Sequence, residues 1–392
     1  MAEKPFAQQR LPAIAPRRRV LMALGYYDPQ LQRGITRYAR DAGWVLDASM
    51  AHYGVIPTHW RGDGIITILI PGRKDISRYV RRREVPAVAL YGDARRINVP
   101  RVLLDDARIG QLAAEHLLER GFSDLGFCKF SGLRAVLERE KGFRDTVCQA
   151  GKTYHLLDWD EDSKHKNWFD WFKRQLLSLP FPIGMMAQSD HRAAYLISAC
   201  EALGVAVPEE VAVIGVDNDV QTCELALVPI SSVDSNRETM AYEGAALLDR
   251  LMDGERRPRD PIVVPAKGVV VRHSSDFFAV PHPPLARALH FIRDHFSEPL
   301  GVDDVIRASQ TSRCGLYRAF EKHLGHTVGE EIDRQRVGHA KKLLRESNDK
   351  LHRIASISGF SGPEHFTRVF RRVMGEPPSS YRNRLRGEHR PH

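Results

Sequence analysis

Along residues 18–271 short apolar runs alternate with longer amphipathic stretches. The runs Val20–Leu24, Gly64–Ile70, Ala87–Leu90, Leu125–Cys128, Ile183–Met186 and Val211–Val216 have strand length and read as buried strands. Between them lie helix-like stretches such as Arg108–Arg120 and His191–Leu203. Strand and helix in alternation predict an α/β fold built on parallel sheet. The β-branched stretch Pro261–Val271 is expected to return one last strand.

At Ala279–Pro284 the chain reads AVPHPP. Three prolines in six residues predict a stiff, extended linker over 279–284. It separates residues 18–278, preceded by a tail at 1–17, from a second domain at 285–392. Beyond it Leu285, Leu289, Ile292 and Phe296 follow 4-3-4 spacing, the apolar stripe of an amphipathic helix. No strand-like run follows, so the second domain is expected to be all-α.

That domain contains a repeat at an offset of 50 residues: Leu316–Gly325 (LYRAFEKHLG) and Phe366–Gly375 (FTRVFRRVMG). Arg318 matches Arg368, Phe320 matches Phe370, and Gly325 matches Gly375. On a helix the aromatic and the Arg two positions before it point to opposite sides, one to the core and one outward. A short helix precedes each copy, Val302–Ser309 and Leu351–Ser358, with Ser312 placed to cap one repeat helix and Gly359 placed for a tight turn. Two helix-turn-helix units fit this pattern, and so do two packed hairpins that dock a protein.

Charge alone would favour nothing more than a solvated helical surface, and motifs must decide. The segment from Leu285 carries 20 Lys and Arg against 13 Asp and Glu, a surplus of 7 within the chain's +9. A basic excess confined to one domain is the footprint of a phosphate-binding surface. The five cysteines, Cys128, Cys148, Cys200, Cys223 and Cys314, contain no C-x-x-C pair and are read as small buried residues in a reducing compartment. No apolar stretch reaches membrane-span or secretory-leader length, which points to a cytoplasmic chain with no membrane partner. Gly151-Lys152-Thr153 lacks the earlier glycine of a phosphate loop, since Thr146 stands there. His116-x-x-Glu119 is followed by Arg120 where a metalloprotease needs His, and His323 and His326 read as polar surface at a helix end. These features argue against an enzyme and against a metal site.

The segment Leu285–Arg384 resembles the AraC/XylS family DNA-binding domain. The resemblance is carried by Ser312-x-x-x-Leu316-x-x-x-Phe320, Arg336-x-x-x-Ala340-x-x-Leu343-Leu344, Ile354-Ala355, Gly359-Phe360, His365-Phe366-x-x-x-Phe370 and Gly375-x-x-Pro378-x-x-Tyr381-Arg382. It implies two recognition helices in successive major grooves of double-stranded operator DNA. The implied base readers are Cys314, Tyr317 and Arg318, then Pro363, Glu364, His365, Thr367 and Arg368, residue types suited to base edges where they are Arg and Glu. Arg313, Lys322, Arg371 and Arg372 suit phosphates. Ile306 and Gln310 depart from the family's small Ala and turn Gly.

Residues 18–273 resemble the ligand-binding core of LacI/GalR repressors, itself similar to periplasmic sugar-binding proteins. Gly62-Asp63-Gly64-Ile65-Ile66, Asp105, Ala114-x-x-Leu117-x-x-x-Gly121, Arg139-x-x-Gly142-Phe143, Gln188-Ser189-Asp190, Val207–Asp219 and Ile230–Val233 carry it. It implies two lobes around a cleft, crossed near Gly121, Val233 and Pro261. Sugar hydroxyls need carboxylate acceptors and fixed donors. Asp217 just past a strand and Arg139 opening a helix are therefore read as ligand contacts. Asp28, before Pro29, and Asp190, before a helix, serve equally as ligand contacts or helix N-caps. Asp105 reads as a ligand or hinge residue; Tyr26, Tyr27 and Trp60 stack on sugar or fill core. The fold expectation is thus a two-lobed periplasmic-binding-protein-like α/β sensor plus an all-α domain with two helix-turn-helix units. The combination resembles the bacterial xylose-operon regulators. It implies a sugar-responsive activator of a pentose operon, a homodimer that also contacts RNA polymerase and needs no cofactor beyond its sugar effector. The alternative is a solute-binding protein or sugar-processing enzyme with a basic helical tail.

Overall fold

In the computed structural model of the protein, residues 17–57, 59–70, 72–92, 97–159, 168–279 and 282–387 are described. The chain divides into two compact units, one running through Leu118 and from Ser123 to Asp276, the other made of Glu119–Phe122 and the chain from Phe277 onward. Residues 1–16 of the expected tail, and Val280 and Pro281 of the expected linker, lie outside the described residues.

The first unit holds two six-stranded sheets. In the first lobe the order is β11 (Ile262–Val264), β5 (Arg101–Leu104), β4 (Ala87–Gly92), β3 (Gly64–Leu69), β1 (Arg19–Ala23) and β2 (Val45–Asp47), all parallel. In the second it is β12 (Gly268–Val270), β10 (Ser231–Asp234), β9 (Val211–Val216), β8 (Ile183–Ala187), β6 (Asp124–Lys129) and β7 (Thr153–Asp158), with only β12 antiparallel. Helices α1 (Pro29–Asp41), α2 (Ser49–Tyr53), α3 (Lys74–Arg82) and α9 (Arg237–Met252) pack on the first sheet or on each other. Helices α4 (Asp106–Glu119), α5 (Arg134–Gln149), α6 (Trp168–Leu176), α7 (Asp190–Ala202) and α8 (Val220–Leu225) belong to the second lobe.

Every residue of β3, β8 and β9 is buried, as continuous apolar runs between helix layers require. The single strand expected over Pro261–Val271 is instead two strands, β11 and β12, one in each sheet. The chain therefore crosses between lobes at Pro265–Lys267, a few residues beyond the expected Pro261. The crossing expected near Val233 falls at Ser235–Asn236, and the one expected near Gly121 falls earlier, at Asp105. The reason lies in α4. A Cβ on Gly142 of α5 would sit 2.1 Å from the Ala107 carbonyl, and one on Gly110 of α4 would sit 2.0 Å from the Arg139 carbonyl. Backbone contact this close fastens α4 to the second lobe from its first turn.

The second unit is helical. The prolines read as linker, Pro283 and Pro284, open α10 (Pro283–His295), where a missing N–H costs nothing; His282 Nδ1 caps it by accepting from Leu285 N at 3.2 Å. Helices α11 (Val302–Ser309), α12 (Arg313–Leu324), α13 (Val328–Glu346), α14 (Leu351–Ile357), α15 (Pro363–Met374) and α16 (Pro378–Gly387) follow. Two apolar cores result. Val328 and Ile332 of α13 join the core of α10–α12, while Val337, Ala340 and Leu344 of the same helix join the core of α14 and α15. Gln310 takes a left-handed φ of +54°, so the turn survives without its glycine. His326 is largely buried and not surface, its ring bonded to Leu324 O at 2.9 Å and Glu331 Oε2 at 2.8 Å. Cys148 and Cys314 are exposed, against the expectation of buried thiols.

The α4–α5 contact makes a specific demand. Gly142→Ala is expected to force the two helices apart and lower stability by about 1–3 kcal/mol, as overpacking does. Gly338→Ala, at an exposed mid-helix position of α13 with nothing within 4 Å of the added carbon, is expected to raise it by about 0.5–1 kcal/mol. Urea denaturation of the two variants checks both signs.

Candidate effector cleft and DNA-facing helices

The carboxyl ends of β1 and β4 in the first lobe face those of β8 and β9 in the second, and a charged network fills the space between. Asp28, past β1, caps α1: its Oδ1 accepts from Gln30 N and Leu31 N, each at 3.0 Å. Its Oδ2 accepts from Arg237 Nη1 at 2.7 Å. Arg237, the first residue of α9, gives its Nη2 to Asp217 Oδ2, also at 2.7 Å. One guanidinium thus joins a carboxylate of each lobe.

Arg139 is fully buried in α5. It lies in the second turn, not at the opening expected from sequence, because the helix begins at Arg134. Its Nε donates to Asp106 Oδ1 at 2.7 Å and its Nη1 to the Gln188 carbonyl at 2.9 Å. Its Nη2 is buried, has no hydrogen-bond partner, and stands 4.0 Å from Asp217 Oδ1. A buried donor left unmade costs about 1–3 kcal/mol, which an acceptor reaching Nη2 would recover.

Electrostatics hold the two buried guanidiniums in their charged form. Burial pulls the pKa of Arg139 down, but Asp106 and Asp217 more than reverse it, and the net direction is up. Arg237 is raised against burial in the same way, chiefly by Asp217. Burial pushes the Asp106 carboxyl up while Arg139 opposes it. Asp190 is different. Burial first, and then the nearby Asp217 charge, push its carboxyl up to about 7.

Asp190 does not cap α7; Ser189 does, accepting from Arg192 N at 3.4 Å, and Asp190 is the first helical residue. Its own oxygens accept from Ser232 Oγ at 2.6 Å and Asp219 N at 2.8 Å, which fixes the loop carrying Asp217. Asp105 caps α4 through Arg108 N at 3.0 Å, and its N–H reaches the Val264 carbonyl at 3.1 Å, tying two crossing segments together. It lies at the hinge. Asp28, Asp190, Asp217 and Arg237 line one recess of about 910 Å³, open mouth included, with Tyr26 and Tyr27 on its wall. Trp60 packs into the first-lobe core instead.

Sequence reasoning missed Asp106, Tyr91 and Arg237. Tyr91, next to last in β4, has a φ of +60°, its ring 6.0 Å from the Arg237 guanidinium. A left-handed β-strand end is invisible in composition; the polar run Asp234–Glu238 directly after a strand was the available signal for Arg237.

In the second unit α12 and α15 each bury one face, Leu316, Ala319 and Phe320 in one, Phe366, Val369 and Phe370 in the other. The opposite face of α12 exposes Arg313, Cys314, Tyr317, Arg318 and Lys322. That of α15 exposes Pro363, Glu364, Thr367, Arg368, Arg371 and Arg372, which line one surface groove. His365 is half-buried, its ring against Phe360 and its Nδ1 3.0 Å from Ser361 Oγ, and Thr367 Oγ1 bonds back to the Pro363 carbonyl at 2.8 Å. Arg313 pairs with Asp303 and Arg372 with Asp333.

Two family models match the chain, a periplasmic binding protein-like domain over residues 114–275 and a helix-turn-helix domain over residues 306–384. The multiple antibiotic resistance protein MarA of Escherichia coli K12 is 32% identical over 103 residues, 26% of this chain and 81% of that protein. The solved "structure of xylose-binding transcription activator xylR" covers 94% of this chain and 98% of its own, with 28% identity and a TM-score of 0.58. The xylose operon regulatory protein of Escherichia coli K12 is 30% identical over 379 residues, 91% of this chain and 94% of that protein. A two-lobed sensor and a double helix-turn-helix unit in this order, alike to that relative over nearly its whole length, mean that the chain belongs to the family of xylose operon regulatory proteins, sugar-responsive transcription regulators.

Proposed function

We propose that the cleft binds one small neutral sugar, an aldopentose of the xylose class, and that α12 and α15 read double-stranded DNA, so that the chain activates a pentose catabolic operon. The observation that carries the sugar site is the orphaned Arg139 Nη2 facing Asp217 across 4.0 Å. A sugar hydroxyl there accepts from Arg139, which satisfies the orphaned donor, and donates to Asp217. Asp28 and Arg237 supply a second acceptor and donor, and Tyr26 and Tyr27 an apolar wall. Xylose itself comes from the relatives' names. The exposed Arg318 and Arg368 are the base readers, with Arg313, Lys322, Arg371 and Arg372 on phosphates; Asp303 and Asp333 release their arginines cheaply, since exposed pairs contribute only about 0–1 kcal/mol. α13, with its 19 residues, is about 28 Å long. That is of the order of the roughly 34 Å between successive major grooves on one face of DNA. The role needs no cofactor and no catalysis. The chain acts in the cytoplasm as a homodimer that meets RNA polymerase at the promoter; among the described residues no helix is long and apolar enough to cross a membrane.

Three outcomes follow. Calorimetric titration with D-xylose, D-ribose and L-arabinose is expected to show one preferred pentose. Asp217→Ala should weaken it about 10–150-fold, the worth of a hydrogen bond to a charged group; unchanged affinity would remove the cleft assignment. On DNA, Arg368→Ala is expected to cost about 1–3 kcal/mol at the best site and to relax base preference, whereas Arg372→Ala weakens all duplexes alike. Equal losses on selected and random DNA for Arg368→Ala would refute base reading.

The third concerns Asp190. Unfolded, its carboxyl titrates near ~3.9; folded, at about 7. The folded chain holds a proton that the unfolded chain has lost over that window, so this contribution to stability is full below about pH 4 and disappears as the pH rises through 7. Asp190→Asn keeps an acceptor for Asp219 N and offers Ser232 a donor. Its unfolding free energy is expected to fall less than that of the unaltered chain between about pH 4 and pH 8. Parallel curves for the two proteins would show that Asp190 is ordinarily ionised.

A further inference from the structure

Asp217 and Asn218 are two consecutive non-glycine residues at positive φ, +105° and +52°, a conformation that persists only where its surroundings hold it. The first lobe holds it from one side: Gln30 Nε2 of α1 donates to the Asp217 carbonyl at 2.8 Å and to the Asn218 carbonyl at 3.1 Å. From the other side Arg272 Nη2 donates to Asn218 Oδ1 at 3.0 Å.

Arg272 lies between β12 and the 3-10 turn His273–Ser275, and the first unit ends at Asp276. Its Nη1 donates to the Ile230 carbonyl at 3.0 Å. Its backbone N–H and carbonyl both bond Ser231 Oγ at 2.8 Å. The turn beyond it is anchored through Ser274, whose Oγ accepts from Ser231 N at 2.9 Å and donates to the Val213 carbonyl at 2.6 Å. Those anchors fix the exit segment to β9 and β10 and do not sense the cleft. The Arg272 side chain does, because it bonds the turn that carries Asp217.

We propose that Arg272 is a positioning residue for the sugar response, reporting the state of the Asp217–Asn218 turn to the segment through which the chain leaves the sensor. The inference rests on the sugar and DNA reading above. When sugar engages Asp217 and the first lobe grips the turn through Gln30, Asn218 Oδ1 is presented to Arg272 and the exit segment is held in one arrangement. When the turn relaxes, that bond is lost and the segment keeps only the Ile230, Ser231 and Ser274 anchors, which do not reach the turn.

The test is calorimetric titration of the full chain with D-xylose, alone and with a duplex selected for tight binding from a random pool. In the unaltered chain the two affinities are expected to differ by about 5–150-fold, the usual range of coupling between linked sites. Arg272→Met and Asn218→Gly share the loss of this bond, the first also losing the Ile230 contact and the second the 3.4 Å contact of Asn218 Nδ2 with Asp234 Oδ2, and glycine keeps the positive φ without strain. Each is expected to leave DNA-free D-xylose affinity within about twofold while bringing the coupling ratio to near 1, and the double variant to add nothing further. A ratio kept at its original value in either variant, or losses that add in the double variant, would overturn the proposal and leave Arg272 a staple of the fold. Equal affinities with and without DNA in the unaltered chain would instead remove the sugar and DNA reading, and this inference with it.

Discussion

The cleft depends on one shared carboxylate. Asp217 stands between two buried guanidinium groups, bonded to Arg237 and 4.0 Å from Arg139. A buried cation without a partner costs several kcal/mol. Asp106 answers for Arg139 and Asp28 for Arg237, leaving Asp217 to be divided between them. Its backbone is arranged for that position. The N–H is held by the Val233 carbonyl at 2.9 Å, and Oδ1 accepts from Ser235 Oγ at 3.0 Å. Because Asp28 is first-lobe and Asp217 second-lobe, Arg237 is also a bond between lobes. Ligand chemistry and lobe position are therefore one equilibrium.

What could be read from the sequence follows from how each residue advertises itself. β3, β8 and β9 are buried on both faces and so appear as unbroken apolar runs. β2 and β7 are sheet edges with exposed positions, and β10 opens with two serines buried by hydrogen bonding, so none of them makes such a run. Asp28 and Asp217 were legible because a carboxylate directly past an apolar strand sits at the strand's carboxyl end, where clefts form. Asp106 and Arg237 were not, because each opens a helix, where a charged residue normally signals nothing beyond solvation. Asp190 was placed one position wrong as a cap because Ser189, the better N-cap type, stands before it.

In the second unit the 50-residue repeat was visible because both copies solve the same packing problem, with Phe320 and Phe370 wholly buried. The turns before them are solved differently. Gly359 must be glycine: its φ is +79°, and a Cβ there would meet the Phe296 carbonyl at 2.2 Å. Gln310 holds the equivalent left-handed state with a side chain, at a local strain that two good cores absorb. Arg336 then fastens α13 to the end of α10 through the Phe296 and Glu298 carbonyls at 2.8 and 3.1 Å.

The charge of the cleft also says what kind of sugar suits it. Arg139 and Arg237 are each matched by carboxylates, and burial pushes Asp190 up to about 7, where it carries less charge than an ordinary carboxylate. A phosphate or uronate placed there would bring a negative charge against Asp28 and Asp217, while the donor left unmatched in the network is the one nitrogen Arg139 Nη2, with its two N–H groups. One guanidinium nitrogen already committed to matching carboxylates does not offset the repulsion and desolvation of an anion. A hydroxyl brings no net charge and offers both a donor for Asp217 and an acceptor for Arg139.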